Sequence, residues 1–428
     1  MSDSTACLSV PASMTPDVAA STVAGGYRRD ALYTLALGTF AVGTEGFMIA
    51  AILPSIAHSL DRSVQAVGQL VTIFALTYAL STPILTALTA AVSRRRLLLL
   101  SLAAFAGANL LAAAAPGYWW LAGARILLAV TAGLYVPNAN AVAGALAPAA
   151  YRGRALAIIN GGITVAVAIG VPAGAFVGAH FGWRSTFIGV AALSTIALAV
   201  LAARLPSHID GATPAGFKSR LAVIAAPGVL PTLVTTTLWA TGAYTVYTYV
   251  SPFLVITSGV SPASVGFVLT LLGISAVAGI TLGGLANDRF GARRVHAVVL
   301  PALATTFMGL TVVALLFSPH ALPAIVPLVI LWGLSAWSFF PPQQARLITV
   351  TGAAHTPVIL SLNASFMYLG FSLGAALGSV VITLLSLEWI GAAGGLCLLL
   401  AMGMSRLAPI RFDRVHETIA YRKSGEFI

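Results

Sequence analysis

A dozen apolar runs dominate this chain, and their length fixes the medium in which it can fold. They lie near residues 31–53, 66–91, 97–115, 118–147, 154–180 and 183–204, then 229–256, 262–287, 294–317, 321–346, 355–386 and 388–407. Each is about twenty residues or longer, enough to cross about 30 Å of hydrocarbon as an α-helix. Hydrophobic residues make up 59% of the chain and charged ones 8%, against about 25% charged in soluble domains. No soluble fold could hide that much apolar surface. The reading is an all-α integral membrane protein of about twelve transmembrane helices.

The formal net charge of +11 does not mark a nucleic-acid binder. The basic residues punctuate the apolar runs one link at a time and form no aromatic-interleaved patch. Of the 22 Lys and Arg residues, all but three fall in the N-terminal arm, the even-numbered links or the tail. The exceptions are Arg62 and Arg184 in the opposite links and Arg125 inside a run. That asymmetry places both termini on the cytosolic side. The excess of Arg over Lys adds an association with a bacterial source, hence a multi-pass protein of the bacterial cell (inner) membrane.

Five segments follow: a disordered cytosolic arm (1–30), a first six-helix bundle (31–204), a cytosolic linker (205–228), a second bundle (229–407) and a cytosolic tail (408–428). The halves repeat. Gly170, Gly174 and Gly178 answer Gly370, Gly374 and Gly378 at an offset of 200, Ser63, Val67 and Gly68 answer Ser261, Val265 and Gly266 at 198, and Arg95 answers Arg294 at 199. Such repeats imply two pseudo-symmetric bundles about an axis along the membrane normal, with a site between them near the midplane.

Glu45 is the one acidic residue deep within a run; the other ten lie at run ends, in links or in the tails. A carboxylate at that depth must face protein, a counter-charge or water. Counting from the outer face at 1.5 Å per residue puts Glu45 about 14 Å deep and Arg125 about 10 Å deep, so the two can meet if their helices are neighbours. Burial disfavours the charged form of a carboxylic acid and a guanidinium favours it, which equips Glu45 and Arg125 to couple a conformational change to protons. The same pair could instead be a static clamp between helices.

Between the eighth and ninth runs the sequence reads Gly284-Leu-Ala-Asn-Asp288-Arg289-Phe-Gly291-Ala-Arg293-Arg294. This resembles the signature loop of the major facilitator superfamily. The resemblance implies that Asp288 caps a neighbouring helix and pairs with arginine to latch a cytosolic gate, in keeping with the helix dipole. The first-half counterpart keeps Arg94, Arg95 and Arg96 but has no acid. The fifth run, with Gly170, Pro172, Gly174 and Gly178, resembles the antiporter motif of drug exporters in the same superfamily, with one residue inserted between the usual Gly and Pro. Glycines four apart allow close helix approach, which would seal the site against proton leak or merely pack the helices. Arg125 with Gly133 partly matches the family's fourth-span motif, Leu128 standing where glutamine is usual. The resemblance spans about residues 30–407 and is closest to the arabinose-efflux and chloramphenicol-resistance branch.

Helical spacing groups Asn160 with Thr164, Tyr244 with Tyr247, Trp337 with Phe340, and Asn363 with Phe366 and Met367, while Met48 sits one turn from Glu45. These runs line the cavity in the family. An aromatic, Met and amide lining suits an amphipathic organic molecule, although any one of these residues could equally pack against lipid or another helix. The histidines (58, 180, 208, 296, 320, 355 and 416) read as lying at run ends, in links or in the tail. No metal-ligand cluster, paired in-membrane carboxylates or Ser/His/Asp set can be assembled, so no catalytic or metal site is expected and the chain does not read as an enzyme. Cys7 and Cys397 read as a loop thiol and a packed thiol without a disulfide.

The expectation is a proton-coupled exporter of a drug-like, chloramphenicol-like compound, working by alternating access. It would need no cofactor beyond the proton gradient, act as a monomer, and have a small molecule, protons and the lipid bilayer as its partners. Sugar or metabolite efflux, an uncoupled uniporter or a membrane sensor are the alternatives.

Overall fold

The computed structural model describes residues 29–89, 92–148, 151–206, 222–352 and 355–407. Most of the expected arm (1–28 of 1–30), most of the linker (207–221) and the tail (408–428) lie outside these, while Arg29 and Asp30, expected in the arm, begin the first helix. Among the described residues the fold is all helix, with no strand. The helices of the first half are α1 (Arg29–Ser59), α2 (Val64–Leu88), α3 (Arg94–Ala113), α4 (Tyr118–Leu146), α5 (Arg152–Phe181) and α6 (Trp183–Arg204). In the second half, α7 comprises Val229–Tyr247 and Val250–Ser258, followed by α8 (Pro262–Phe290), α9 (Ala292–Phe317), α10 (Leu322–Thr351), α11 (Thr356–Leu384) and α12 (Leu387–Leu407).

Eleven of these are long and apolar enough to cross a membrane. The exception is α7, whose first part carries threonines at 232, 235, 236, 237, 241 and 245. It escapes the cost of those hydroxyls in two ways. Thr232, Thr235, Thr241 and Thr245 donate to the carbonyls four residues back at 2.7–2.9 Å, and most of the helix is buried against α11 and α12. A hydroxyl that back-bonds within its own helix needs no other partner in hydrocarbon.

The repeat is visible in local chemistry. Ser63 accepts from Ala66 N (3.2 Å) at the start of α2, and Ser261 accepts from Ser264 N (3.3 Å) at the start of α8, the same N-cap in both halves. The glycine rows also match in role. Gly170, Gly174 and Gly178 press on Thr44, Met48 and Ile52 of α1, while Gly370, Gly374 and Gly378 press on Thr237–Tyr249 of α7. Each row lets the fifth helix of its half lie against the first. Helix turns at Gly182, Gly291 and Gly352 share φ of 76–81° and ψ of 156–157°, a backbone region essentially reserved for glycine.

The extra residue in the fifth run has a structural counterpart. Helix α5 widens to a π-turn at Ala166–Gly170 before resuming its α form at Val171. A π-bulge absorbs one residue without rotating the helix beyond it, and Gly170, Gly174 and Gly178 stay on the α1 face.

The halves meet along α2 and α11, and elsewhere mainly on the side opposite the termini. There α5 packs on α8 chiefly through Ala166–Phe181, and α1 touches α7 through Val250–Ser258. Gly273 of α8 lies over Ala168 and Val167, and Gly266 over Ala175 and Pro172.

Candidate functional site

Glu45 and Arg125 meet at the centre of the first half, where α1 and α4 are neighbours. Arg125 Nη1 donates to Glu45 Oε1, and neither side chain has measurable exposure. The guanidinium also reaches Leu70 O (3.4 Å) through Nε and stands 4.2 Å from the centroid of the Phe74 ring on α2. Glu45 Oε2 and Arg125 Nη2 have no hydrogen-bond partner among the described residues. This is the one ion pair among the described residues. A buried charge that loses its partner costs several kcal/mol, so each member constrains the other.

Above the pair runs the seam between the halves, built of aromatic rings. From the first half come Phe47, Phe74 and Tyr78; from the second come Tyr244, Tyr247, Tyr368 and Phe371. Tyr78 stacks on Tyr368 at 3.7 Å between centroids, Tyr244 on Phe371 at 3.6 Å, and Phe47 meets Tyr247 edge-on at 5.8 Å. Tyr247 also donates its hydroxyl across the seam to Phe47 O at 3.0 Å. A small cavity persists here, walled by Val42, Gly46, Phe47 and Phe74 on one side and Tyr244, Tyr368 and Phe371 on the other. Its volume of about 20 Å³ is room for about one water, whereas drug-sized guests occupy pockets of about 300–1,000 Å³. A guest of that size does not fit unless the seam parts.

Of the residues singled out for the cavity by spacing, Tyr244 lines it and Tyr247 borders it through Phe47. Met48 is buried against Gly174 of α5. Asn160 is exposed and donates to Asn140 Oδ1 (3.2 Å), with Thr164 donating to Asn160 O (3.4 Å). Asn363 is buried and accepts from Thr236 (2.7 Å), which in turn accepts from Gln343 Nε2 (2.7 Å). Trp337, Phe340 and Met367 are half-buried, with Phe340 packing on Trp239. Phe74, Tyr78, Tyr368 and Phe371 were missed by the sequence reading. Their signal was the pairing of Phe74 with Tyr78 at i,i+4 and of Tyr368 with Phe371 at i,i+3, on helices facing each other across the halves.

On the terminus side, Arg94 bonds Asn138 Oδ1 (2.5 Å), Arg95 donates to Ala202 O (2.6 Å) near the end of α6, and Arg96 is exposed. An arginine on the last carbonyls of a helix complements its dipole. Asp288 is exposed and forms no ion pair among the described residues. Its neighbours Arg289, Arg293 and Arg294 are exposed as well, Gly284 is half-buried, and Gly291 makes the turn into α9.

One reading needs correction. Arg125 is not the sole arginine buried inside a run, since Arg346 of α10 is 4% exposed and donates to Ser405 O (2.7 Å) at the end of α12. His296 lies near the start of α9, at a run end as expected, and is buried there and stacked on Phe339 at 4.8 Å. Both lie where α10 breaks near Phe339 and folds over α9, a packing no linear count reveals. Cys397 is a buried free thiol, while Cys7 lies outside the described residues.

The profile of the Major Facilitator Superfamily matches residues 35–359. The chain belongs to that superfamily. Among its relatives, the MFS-type transporter YbcL of Bacillus subtilis is 36% identical over 373 residues, covering 86% of this chain and 94% of the relative. The inner membrane transport protein YdhP of Escherichia coli is 33% identical, covering 88% and 96%, and a chloramphenicol resistance protein of Streptomyces lividans is 30% identical, covering 82% and 87%. A bacterial homologue of the human lysosomal transporter Spinster, solved inward-facing and occupied, superposes with a TM-score of 0.72 at 18% identity, covering 89% of this chain and 97% of the other. This superfamily member is therefore a multi-pass membrane protein of the transporter type, acting on small molecules.

Proposed function

We propose that this chain is a proton-coupled exporter of a small amphipathic organic compound, working by alternating access between the two six-helix halves. The observation that carries the reading is the Glu45–Arg125 pair, fully buried behind the seam between the halves. A change of protonation at Glu45 leaves Arg125 without its counter-charge in a low-dielectric setting, a state the protein relieves by rearranging the helices that carry the two residues. The aromatic seam suits an amphipathic guest, and the resistance protein among the relatives lends weight to an antibiotic of the chloramphenicol type.

We place residues 31–204 and 229–407 as the two moving bundles, with both termini in the cytosol of a bacterium and the protein acting as a monomer in the inner membrane. With that orientation, the side on which α1–α7 and α5–α8 are joined is the outside, and the state described is closed outward. Asp288, which forms no ion pair among the described residues, then fits a cytosolic latch that is undone. On the outside Glu45 takes a proton as substrate leaves; on the inside it gives the proton up as substrate is captured. The test is uphill chloramphenicol flux in proteoliposomes under an imposed pH gradient. Wild type is expected to drive it and Glu45→Gln to lose it. A Glu45→Gln protein that still pumps uphill would overturn the coupling assignment; substrate flux in wild type without proton movement would make the protein a uniporter.

A further inference from the structure

The tyrosines packed between the helices divide into two groups. Tyr118, Tyr135, Tyr247 and Tyr249 each donate the hydroxyl to a backbone carbonyl, Ala66 O, Leu35 O, Phe47 O and Ala375 O respectively, at 2.9–3.1 Å. Tyr78, Tyr244 and Tyr368 make no hydrogen bond through their hydroxyls among the described residues, and of these Tyr244 and Tyr368 line the central cavity. The hydroxyls of Tyr244 and Tyr368, on the second-half wall of the same cavity, are therefore free to bond a guest.

The charge of the site limits what that guest can be. The cavity wall itself carries no charged side chain, and Glu45 and Arg125 behind it cancel each other. Protonation of Glu45 makes the total positive, so in neither state is the site net negative. Of its rings, Phe74 already holds the Arg125 guanidinium on one face, and Tyr244 and Tyr368 each have one face stacked on Phe371 and Tyr78. A permanent organic cation would be desolvated beside a resident positive charge with no counter-ion.

We propose that this site takes uncharged amphipathic compounds, held by hydrogen bonds to the hydroxyls of Tyr244 and Tyr368, and excludes lipophilic cations. The proposal rests on the central site of the exporter reading and adds its substrate class. The experiment is equilibrium binding to the full chain in nanodiscs, with chloramphenicol as the uncharged probe and tetraphenylphosphonium as the cation. Chloramphenicol is expected to bind at least tenfold more tightly than tetraphenylphosphonium. Tyr244→Phe and Tyr368→Phe, which keep the rings, are each expected to weaken chloramphenicol binding about threefold to tenfold. Tetraphenylphosphonium binding as tightly as chloramphenicol, no chloramphenicol binding at millimolar concentration, or a double Tyr→Phe variant with unchanged affinity would each overturn the proposal. Chloramphenicol binding without pH-gradient-driven flux keeps this proposal and removes the coupled-export reading. Phosphonium binding with driven flux does the reverse.

Discussion

Tyr368 of α11 lies flat on Tyr78 of α2, with centroids 3.7 Å apart and planes within 17°, and this stack joins the two halves directly over the cavity. A second cross-half link, from Tyr247 to Phe47 O, lies towards the side opposite the termini. Each is worth about 1 kcal/mol, so together they bias the equilibrium between states without locking it.

Removing the Tyr247 hydroxyl therefore shifts that equilibrium. Tyr247→Phe is expected to raise the population open on the side opposite the termini by about threefold to tenfold. Spin labels at Asp61→Cys and His320→Cys, exposed positions on that side of each half, report it as a longer distance component. An unchanged distance distribution would remove Tyr247 from the gate.

The ion pair makes a stability prediction separable from transport. Arg125→Met leaves the Glu45 carboxylate buried without its partner and is expected to cost about 3–5 kcal/mol, seen as a lower unfolding temperature in detergent. Adding Glu45→Gln removes the stranded charge, and the double variant is expected to regain most of that loss while still failing to pump. A double variant no more stable than the single one would show that the arginine acts through packing alone.

Helix approach at the seam depends on glycine at one well-defined point. A Cβ on Gly273 would fall 2.5 Å from Ala168 Cα and 2.7 Å from Val167 O, backbone atoms that cannot step aside. Gly273→Leu is expected to push α8 off α5, costing about 1–3 kcal/mol and lowering the population closed on that side. Gly123 of α4 has nothing within 4 Å of such an atom, and Gly123→Ala is expected to change stability by less than about 0.5 kcal/mol. Spin-label distances and unfolding temperatures for the pair check the contrast.

The π-turn of α5 makes a prediction about deletions. Removing Ala168 converts Ala166–Gly170 to ordinary helix and keeps the register on both sides. Removing Ile158, in the regular part of the helix, turns everything upstream or downstream by about 100° and takes the glycine row off α1. The first deletion is expected to give a monodisperse, folded protein and the second to fail in size-exclusion chromatography. Equal failure of both would mean that the wide turn does not absorb the extra residue.

The sequence alone determined the medium, the number of helices and the repeat, because each follows from local quantities: run length, charge at the links and glycine spacing. It also put Glu45 and Arg125 at one depth, since rise per residue is fixed wherever a helix crosses a bilayer. Which side chains surround them was decided only by tertiary structure. Phe74, Tyr78, Tyr368 and Phe371 are ordinary apolar-run residues until α2 and α11 are laid side by side, and Met48 and Asn363 look like cavity residues until their helices are rotated against α5 and α7. Helical periodicity tells which residues share a face. It does not tell which neighbour that face meets, and in a chain apolar on nearly every side, lipid, a partner helix and a substrate all accept the same residues.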